Sequence, residues 1–285
     1  MLESDLPAGA RIDDDLLVVE RLGGGRRYEV YRATDRRTGT HVAVKILRPA
    51  LVADRSARAA FKREVTIATG LAHSGLVRLI RWSEDPQPRS VWEHVGDPSL
   101  DVLLDVVGPL PTLDVCRIGV HVSAALAYLH DRDILHLDVT PANVASGTAT
   151  HLLDLSLARR GAHGLALSNP VGTGPYMSPE QCLAGTVDGR SDLFGLAATL
   201  YEALSAIAPF GEGVADDMDA AVRYPQLSIR PQPLAELVSS VPRVFADLLD
   251  SCLSADPNLR PSSARELEAE LRRVSAALGR QIPES

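Results

Sequence analysis

The hydrophobic pattern of this chain changes its period near Gly96, and that change constrains the fold more than any other feature. Before Gly96 the apolar runs are short and alternate in the manner of strands. After it they lengthen into stripes with helical spacing, the clearest running from Leu113 to Arg132. The sequence therefore predicts an α+β fold with a small antiparallel-sheet lobe and a larger, mostly helical lobe. The predicted strands are 16–19, 28–33, 41–47, 77–81 and 90–94, and the predicted helices are 56–69, 113–132, 190–204, 244–253 and 262–278.

The same pattern sets the expected domain boundaries. The first residues are polar and carry Pro7 and Gly9, which predicts a loose start to the chain. A linker with glycine and proline near Gly96 is expected to join the two lobes. We therefore divide the chain into a flexible leader at 1–11, an N-terminal lobe at 12–95, a C-terminal lobe at 96–278 and a tail at 279–285.

Charge and composition exclude several classes of partner. The net charge is −8, from 29 basic and 37 acidic residues, so the chain has no basic field for nucleic acid or an anionic membrane. No run of about 18 apolar residues and no signal sequence is evident, which predicts no membrane span. The cysteines (Cys116, Cys182 and Cys252) are widely spaced, which favours a reducing cytoplasm over disulfides or zinc. The sequence leaves the oligomeric state open.

A glycine-rich turn joins the first two predicted strands at Gly23, Gly24 and Gly25. Glycines in such a turn let backbone N–H groups approach phosphate oxygens without a Cβ in the way. A plain hairpin turn would also explain them. Val30, on the next strand, follows the turn, and the strand after that carries a lysine.

That lysine, Lys45, is one of only two in the chain. It lies on an apolar strand, and a buried lysine needs a partner, for which Glu64 on the next helix is well spaced. A surface lysine on an edge strand is the alternative. The composition argues against the alternative, because nearly every other basic residue is arginine and a compact ammonium was placed here instead.

A second cluster of polar residues follows the long helix. Asp138 and Asn143 lie five residues apart in a predicted loop, and Asp154 ends a short strand. Each is common in loops when taken alone. Together they supply two carboxylates and one amide oxygen, which are hard ligands of the kind that Mg²⁺ prefers.

These motifs, in this order and spacing, resemble the eukaryotic-like Ser/Thr protein kinases of bacteria. The later segments Ser178-Pro179-Glu180 and Asp256 to Pro261, with Arg260, agree with the same family. The resemblance runs from about Leu16 to Leu278, nearly the whole chain. It implies a transferase that binds ATP with Mg²⁺, or with Mn²⁺ instead, and passes the γ-phosphate to a protein hydroxyl in cytoplasmic signalling.

The resemblance also implies a role for each matching residue. Lys45 would hold the α- and β-phosphates and pair with Glu64, and Asp138 would accept or orient the substrate proton. Asn143 and Asp154 would hold the metal, and Thr173 would contact Asp138. Trp92 takes the gatekeeper position, and His136 is expected to be structural. The nucleotide would contact Leu22, Gly23, Gly24, Gly25, Val30, Ala43, Lys45, Glu93, Val95 and Ala145.

Five positions depart from the family pattern: Tyr28 for the third glycine, a bulky Trp92, Leu137 for the arginine before Asp138, Thr140 for a catalytic lysine, and Ser156 for the last glycine of Asp-Phe-Gly. None removes a metal ligand, the base or the Lys–Glu pair. The sequence therefore predicts an active but slow kinase, independent of activation-loop phosphorylation. The alternatives are a pseudokinase-like scaffold that binds nucleotide without catalysis, and a small-molecule phosphotransferase, against which Glu180 and Arg260 weigh.

Overall fold

The computed structural model describes residues 5–211, 213–214 and 219–280. The chain divides between Gly96 and Asp97 into two compact units. The first unit is built on one sheet with a helix, and the second is mostly helical.

The first unit contains a five-stranded antiparallel sheet with the strand order β1-β2-β3-β5-β4. Alternation along β3 separates two faces. Val42 and Val44 point into one buried cluster, whereas Lys45 points to the opposite face. The strands are β1 (Leu16–Gly24), β2 (Tyr28–Asp35), β3 (Thr40–Leu47), β4 (Leu79–Ser83) and β5 (Arg89–Glu93).

Helix α1 (Arg55–Ala68) covers part of the sheet. Its N-cap is Asp54, whose carboxylate accepts a hydrogen bond from Ala57 N at 2.8 Å. Phe61 and Val65, four residues apart on one face of the helix, pack in a cluster with Leu47 of the sheet. The same face of the helix also carries Glu64.

Part of the predicted leader packs against the sheet, contrary to the loose start that its composition suggested. Gly9 N donates to Val18 O at 2.8 Å, and Val18 N donates to Ala10 O at 2.9 Å. Leu6 and Ala10 contact the apolar cluster that contains Leu16. Ladder bonds and apolar burial at 5–11 outweigh the turn-forming residues. Residues 1–4 of the leader lie outside the described residues.

The second unit is built around three long helices that pack together, α3 (Thr112–His130), α5 (Gly189–Ser205) and α9 (Ala264–Gly279). Gly119 on α3 allows close contact, because a Cβ there would lie 2.8 Å from Leu200 Cδ1 and 3.1 Å from Leu271 Cδ1. The helices are α2 (Leu100–Val107), α3 (Thr112–His130), α4 (Pro179–Cys182), α5 (Gly189–Ser205), α6 (Ala220–Arg223), α7 (Leu234–Leu237), α8 (Arg243–Cys252) and α9 (Ala264–Gly279).

Short strand pairs hold the loops of this unit. They are β6 (Ile134–Leu135) with β9 (Arg159–Arg160), β7 (Val144–Ser146) with β8 (Thr150–Leu152), and β10 (Leu165–Ala166) with β11 (Thr186–Val187). The predicted tail starts at Gly279, the last residue of α9, and its residues 281–285 lie outside the described part of the chain.

Helix α3 bears on the predicted absence of a membrane span. Among the described residues, α3 is the one helix that is long and apolar enough to cross a bilayer, with 19 residues and a mean hydropathy of 1.2. The most apolar window of this helix is 61% buried inside the protein, as for a helix at the centre of a folded core.

Candidate active site

Lys45 and Glu64 form a buried ion pair in the first unit. Lys45 Nζ donates to Glu64 Oε1 at 2.8 Å, and the two residues are only 8% and 1% exposed. Strand β3 supplies the lysine and helix α1 supplies the glutamate. The contact predicted from the sequence is therefore present. Its physical reason is that a buried ammonium requires a compensating charge.

The three glycines of the β1–β2 turn are not equivalent. A Cβ on Gly24 would lie 2.8 Å from Tyr28 O and 2.9 Å from Glu29 Oε2, so this glycine is required by the packing of the hairpin. A Cβ on Gly23 or Gly25 would meet nothing within 4 Å. Gly25 N itself donates to Tyr28 O at 3.0 Å, so this amide is used within the hairpin. Contact of the three glycines with a phosphate stays a prediction.

Two residues that the sequence analysis did not select fix this turn. Arg48 Nε donates to Gly25 O at 2.8 Å, and Arg48 Nη1 lies 2.7 Å from Glu29 Oε1. Glu29 is buried and also accepts from Arg21 Nε at 2.9 Å. A glutamate in an otherwise strand-like run was the only signal of this arrangement.

Tyr28, which stands where the family has its third glycine, contacts the lysine. Lys45 Nζ lies 4.5 Å from the centroid of the Tyr28 ring. The ring is buried and packs with Leu47 and Phe61. A cation over an aromatic face is attracted by the ring quadrupole. Tyr28, although it departs from the family pattern, therefore helps Glu64 to hold the Lys45 ammonium in place.

The predicted adenine contacts of the first unit lie on or beside its strands. Ala43 and Trp92 are paired across β3 and β5, and Trp92 Nε1 donates to Ser90 Oγ at 2.8 Å. Trp92 is buried, Leu22 and Glu93 are exposed, and Val95 is half-buried. Val30 is paired with Lys45. Ala145 belongs to the second unit, where it is buried on β7. Their contacts with nucleotide stay predictions.

Asp138 in the second unit accepts hydrogen bonds on both carboxylate oxygens. Thr173 Oγ1 donates to Asp138 Oδ1 at 2.7 Å, and Asn143 Nδ2 donates to Asp138 Oδ2 at 3.0 Å. Burial raises the pKa of Asp138, and the bond from Thr173 lowers it only in part. The carboxylate is held by neighbours on two sides, as positioning of a substrate hydroxyl requires.

Asp192 at the start of α5 holds the loop that carries Asp138. Its carboxylate accepts from His136 N at 2.9 Å and Leu137 N at 2.7 Å, and it lies 2.8 Å from His130 Nε2. Burial alone would raise the pKa of Asp192, but these hydrogen bonds and the nearby imidazoles hold it below its usual range. The sequence analysis placed Asp192 only within the predicted helix 190–204 and did not select it as a site residue.

The predicted metal ligands lie at one end of the β7–β8 ribbon. Leu153 N donates to Asn143 O at 2.8 Å, which brings Asp154 beside Asn143. Asn143 Nδ2 is directed to Asp138, so the amide oxygen is the atom available to a cation. Asp154 has a φ of 52°, and its Oδ1 accepts from Ser156 N at 2.9 Å.

This donor set fits a cation that keeps phosphate and water ligands. Among the described residues, no group of three or more histidine, cysteine, aspartate or glutamate side chains is arranged to hold a metal. One carboxylate and one amide oxygen fit Mg²⁺, which is bound by few protein ligands together with substrate phosphates. Asn143 and Asp154 are therefore suited to a nucleotide-bound ion rather than to a metal held by the protein alone.

Glu180 and Arg260, both of which match the family pattern, form a second ion pair in which the arginine is buried and the glutamate half-buried. Arg260 Nη1 and Nη2 donate to the two Glu180 oxygens at 2.6 and 2.9 Å, and Ser191 Oγ donates at 2.7 Å. Burial alone would raise the pKa of Glu180, but the bonds and charge of Arg260 hold it below its usual range. This bidentate guanidinium–carboxylate pair anchors α4, which carries Glu180.

The comparisons with known proteins identify the family of this chain. Residues 16–271 match the family model described as a protein kinase domain. The chain is 31% identical over 272 residues to the serine/threonine-protein kinase PknB of Mycobacterium leprae, covering 92% of this chain and 43% of that protein. It is 31% identical over 291 residues to the serine/threonine-protein kinase pkn2 of Myxococcus xanthus, covering 97% of this chain and 34% of that protein.

A solved structure gives the same result for the fold. The PknI kinase domain of Mycobacterium tuberculosis superposes with a TM-score of 0.70 at 26% identity, covering 94% of this chain and 99% of that domain. The α+β protein kinase fold predicted from the sequence is confirmed. The chain spans less than half the length of the two curated relatives, at 43% and 34%. This chain belongs to the protein kinase domain family, in its bacterial serine/threonine form.

Proposed function

We propose that this chain is a serine/threonine protein kinase that transfers the ATP γ-phosphate to a protein hydroxyl with Mg²⁺. The observation that carries the proposal is the bonding of Asp138, whose carboxylate meets Thr173 and Asn143 at 2.7 and 3.0 Å. A carboxylate held in this way can orient a hydroxyl and accept its proton. The relatives named as serine/threonine kinases support the choice of acceptor.

The nucleotide, metal and base roles of the proposed mechanism each have a residue in this chain, whereas Thr140 stands where the family has its lysine beside the γ-phosphate. Lys45, fixed by Glu64 and Tyr28, offers one positive charge to the α- and β-phosphates. Asn143 and Asp154 would hold Mg²⁺, which would neutralise charge on the phosphate oxygens. Asp138 takes the proton from the attacking hydroxyl. Positioning and charge stabilisation of this kind account for most of the rate of phosphoryl transfer.

A protein substrate is favoured over a small molecule by the loop from Gly174 to Met177. Gln226 Nε2 donates to Gly174 O at 2.7 Å and to Met177 O at 2.9 Å, and the Glu180–Arg260 pair fixes the residues that follow. A loop whose two ends are fixed by hydrogen bonds supports docking of an extended peptide.

The test is transfer of radiolabel from γ-labelled ATP to a generic basic protein with Mg²⁺, followed by phosphoamino acid analysis. We expect label on serine or threonine, dependent on the metal. Label on a small-molecule acceptor alone would contradict the protein kinase assignment. ATP binding without any transfer would favour the pseudokinase-like scaffold.

We also propose that the chain works in cytoplasmic signalling. Cys116, Cys182 and Cys252 are all buried free thiols, which supports a reducing compartment. Burial raises the pKa of their thiols to about 11, 12 and 12, so these cysteines are poor nucleophiles.

Thr140→Lys is expected to raise kcat, because the family places a lysine beside the γ-phosphate at this position. Threonine offers a neutral hydrogen bond and no positive charge. Removal of one preorganised donor typically costs about 10²–10³ in rate, so restoring the lysine should recover about tenfold or more. Little change is expected in the Michaelis constant for ATP.

Steady-state kinetics of the two proteins checks this expectation. Ser239→Lys is the matched control, since it adds the same charge at an exposed position. An unchanged or lower kcat in folded Thr140→Lys would show that the site is already compensated. Thr140 is only 2% exposed, so thermal unfolding is recorded alongside.

Phosphatase treatment is expected to leave the activity unchanged within about twofold. In the family the arginine at the Leu137 position binds a phosphate on the activation segment, and leucine has no charge with which to do so. Ser156 and Ser168 are the only hydroxyl residues from 155 to 171. Assay before and after treatment, with Ser168→Ala alongside, is the measurement. A large loss of activity after phosphatase treatment, reproduced by Ser168→Ala, would contradict the expectation.

A further inference from the structure

Gln181 is a buried amide whose hydrogen-bonding capacity is fully used. It is 2% exposed and lies on α4. Its Nε2 donates to Leu137 O at 2.9 Å and to Val171 O at 2.8 Å. Its Oε1 accepts from Ser178 N and Ser178 Oγ, both at 3.1 Å. Two acceptors on one side and a backbone donor on the other fix which end of the amide is nitrogen.

The two carbonyls that Gln181 joins flank the two side chains that meet at the site. Leu137 immediately precedes Asp138, and Val171 lies two residues before Thr173. Thr173 Oγ1 and Asp138 Oδ1 are 2.7 Å apart. One side-chain amide therefore sets the separation of the two backbone segments that carry this hydrogen bond.

Gly172 shows how closely these segments approach. A Cβ at this position would lie 2.7 Å from Met177 Cγ and 3.0 Å from both Gln181 Nε2 and Leu137 O. The residue also has a φ of 135°, which favours glycine. The amide thus contacts the backbone without an intervening side chain.

Apolar packing holds the segment that contains Val171. The family holds the corresponding segment by pairing a phosphate with the arginine at the Leu137 position. Leu137 is buried in a cluster with Leu135, Ala162 and Val187, against which Leu165, Leu167 and Val171 pack. Strand β10 of the segment pairs with β11, and Leu167 N donates to Gly185 O at 3.0 Å. We call these seven residues the Leu137 cluster. The Leu137 cluster therefore orders the segment by apolar contacts, without a phosphate.

We propose that Gln181 is a positioning residue for phosphoryl transfer to protein, acting through the Leu137 and Val171 carbonyls on the Thr173–Asp138 hydrogen bond. The inference rests on the proposed kinase function and adds a regulatory consequence. The segment that presents the substrate is fixed by an amide and the Leu137 cluster, so the kinase is assembled without modification.

The chemistry of the site predicts that an amide is required at this position. Gln181→Glu is nearly isosteric but points a carboxylate oxygen at two carbonyl oxygens, which repels them. Gln181→Met keeps the length of the side chain and removes both donors. Gln232→Glu is the matched control, because Gln232 is exposed and the change in charge is the same.

Kinetics separates positioning from a loss of folding. For Gln181→Glu we expect kcat for protein phosphorylation to fall by about 10²-fold, because a displacement near 1 Å can cost that much. The ATP dissociation constant, from calorimetry, should stay within twofold, since Lys45 and Glu64 lie in the other unit. Retention of kcat within twofold in Gln181→Glu would overturn the proposal. If that variant fails to fold, the same two quantities are measured for Gln181→Met and the same limits apply.

A double-mutant cycle with Thr173→Ala tests the route of the effect. If Gln181 acts through Thr173, the loss from Gln181→Met should shrink to less than about a third in the Thr173→Ala background. Full additivity of the two losses would show a role that is only structural and would overturn the proposal.

Hydrogen exchange distinguishes this proposal from the proposed function. Amides from 168 to 177 should exchange at least tenfold faster in Gln181→Met than in the wild type, whether or not the chain is active. If the wild type transfers no phosphate but this rise is seen, the kinase function fails and Gln181 still fixes the segment. Unchanged exchange in a folded variant overturns the positioning role, even if the wild type is active.

Discussion

Asp138→Asn is expected to reduce phosphate transfer to protein by about 10²–10⁴-fold, the range that general acid–base catalysis contributes. The substitution keeps the shape of the side chain and removes its basicity. Its remaining carbonyl oxygen can still accept from Thr173 Oγ1, which lies 2.7 Å from the carboxylate in the wild type. The loop itself should persist, since Asp192 holds His136 N and Leu137 N independently.

The measurement combines transfer kinetics with ATP calorimetry and thermal unfolding. Asp105→Asn is the matched control, because Asp105 is exposed on α2 and loses the same charge. We expect Asp138→Asn to bind ATP and fold like the wild type. Transfer within tenfold of the wild type would remove Asp138 from the role of base. A wild type as inactive as the variant, with ATP bound to both, would favour the scaffold.

The long elements of the fold were predictable because their periodicity is strong. The helix expected at 113–132 is Thr112–His130, and that expected at 190–204 is Gly189–Ser205. Elements of two to four residues, such as β6, β9 and α7, contain too few residues for any period to be evident. The strand order also could not be predicted, because the position of β5 between β3 and β4 depends on long-range pairing.

The candidate site was partly predictable for a similar reason. Lys45 and Glu64 lie 19 residues apart on a strand and the helix that follows it, so the need to pair a buried charge identified both. Asp192 and Gln181 bond to Leu137 from 55 and 44 residues away. Nothing in their local sequence marks those contacts, apart from polar side chains beside apolar runs. Motif order identified the residues that would touch substrate and missed those that hold them in place.

Lys45→Met is expected to weaken Mg²⁺–ATP binding and to destabilise the protein, for two separate reasons. The lysine would supply a charged hydrogen bond to the phosphates, and such a bond contributes about 1.5–3 kcal/mol, or about 10–10²-fold in affinity. Its removal also leaves Glu64 as a buried charge without its ammonium partner. Breaking a buried pair in this way costs about 3–5 kcal/mol of folding free energy.

The double variant Lys45→Met/Glu64→Leu separates the two effects. Replacing both members of a buried ion pair by apolar groups is often neutral for stability, so denaturant unfolding should return close to the wild-type value. The affinity for ATP should not return, because no cation has been restored. Recovery of binding together with stability would show that Lys45 acts only on the fold.

Lys62→Met is the matched control, since Lys62 is the only other lysine in the chain. Its ammonium pairs with Glu84 at 2.6 Å and its side chain is 51% exposed. Exposed pairs contribute about 0.2–1 kcal/mol, so this change should cost little stability and no affinity for ATP. Calorimetry with Mg²⁺ on the four proteins decides the assignment. Equal ATP affinity for the wild type and Lys45→Met would show that the phosphates are held by another cation, and the role given to Lys45 would be wrong.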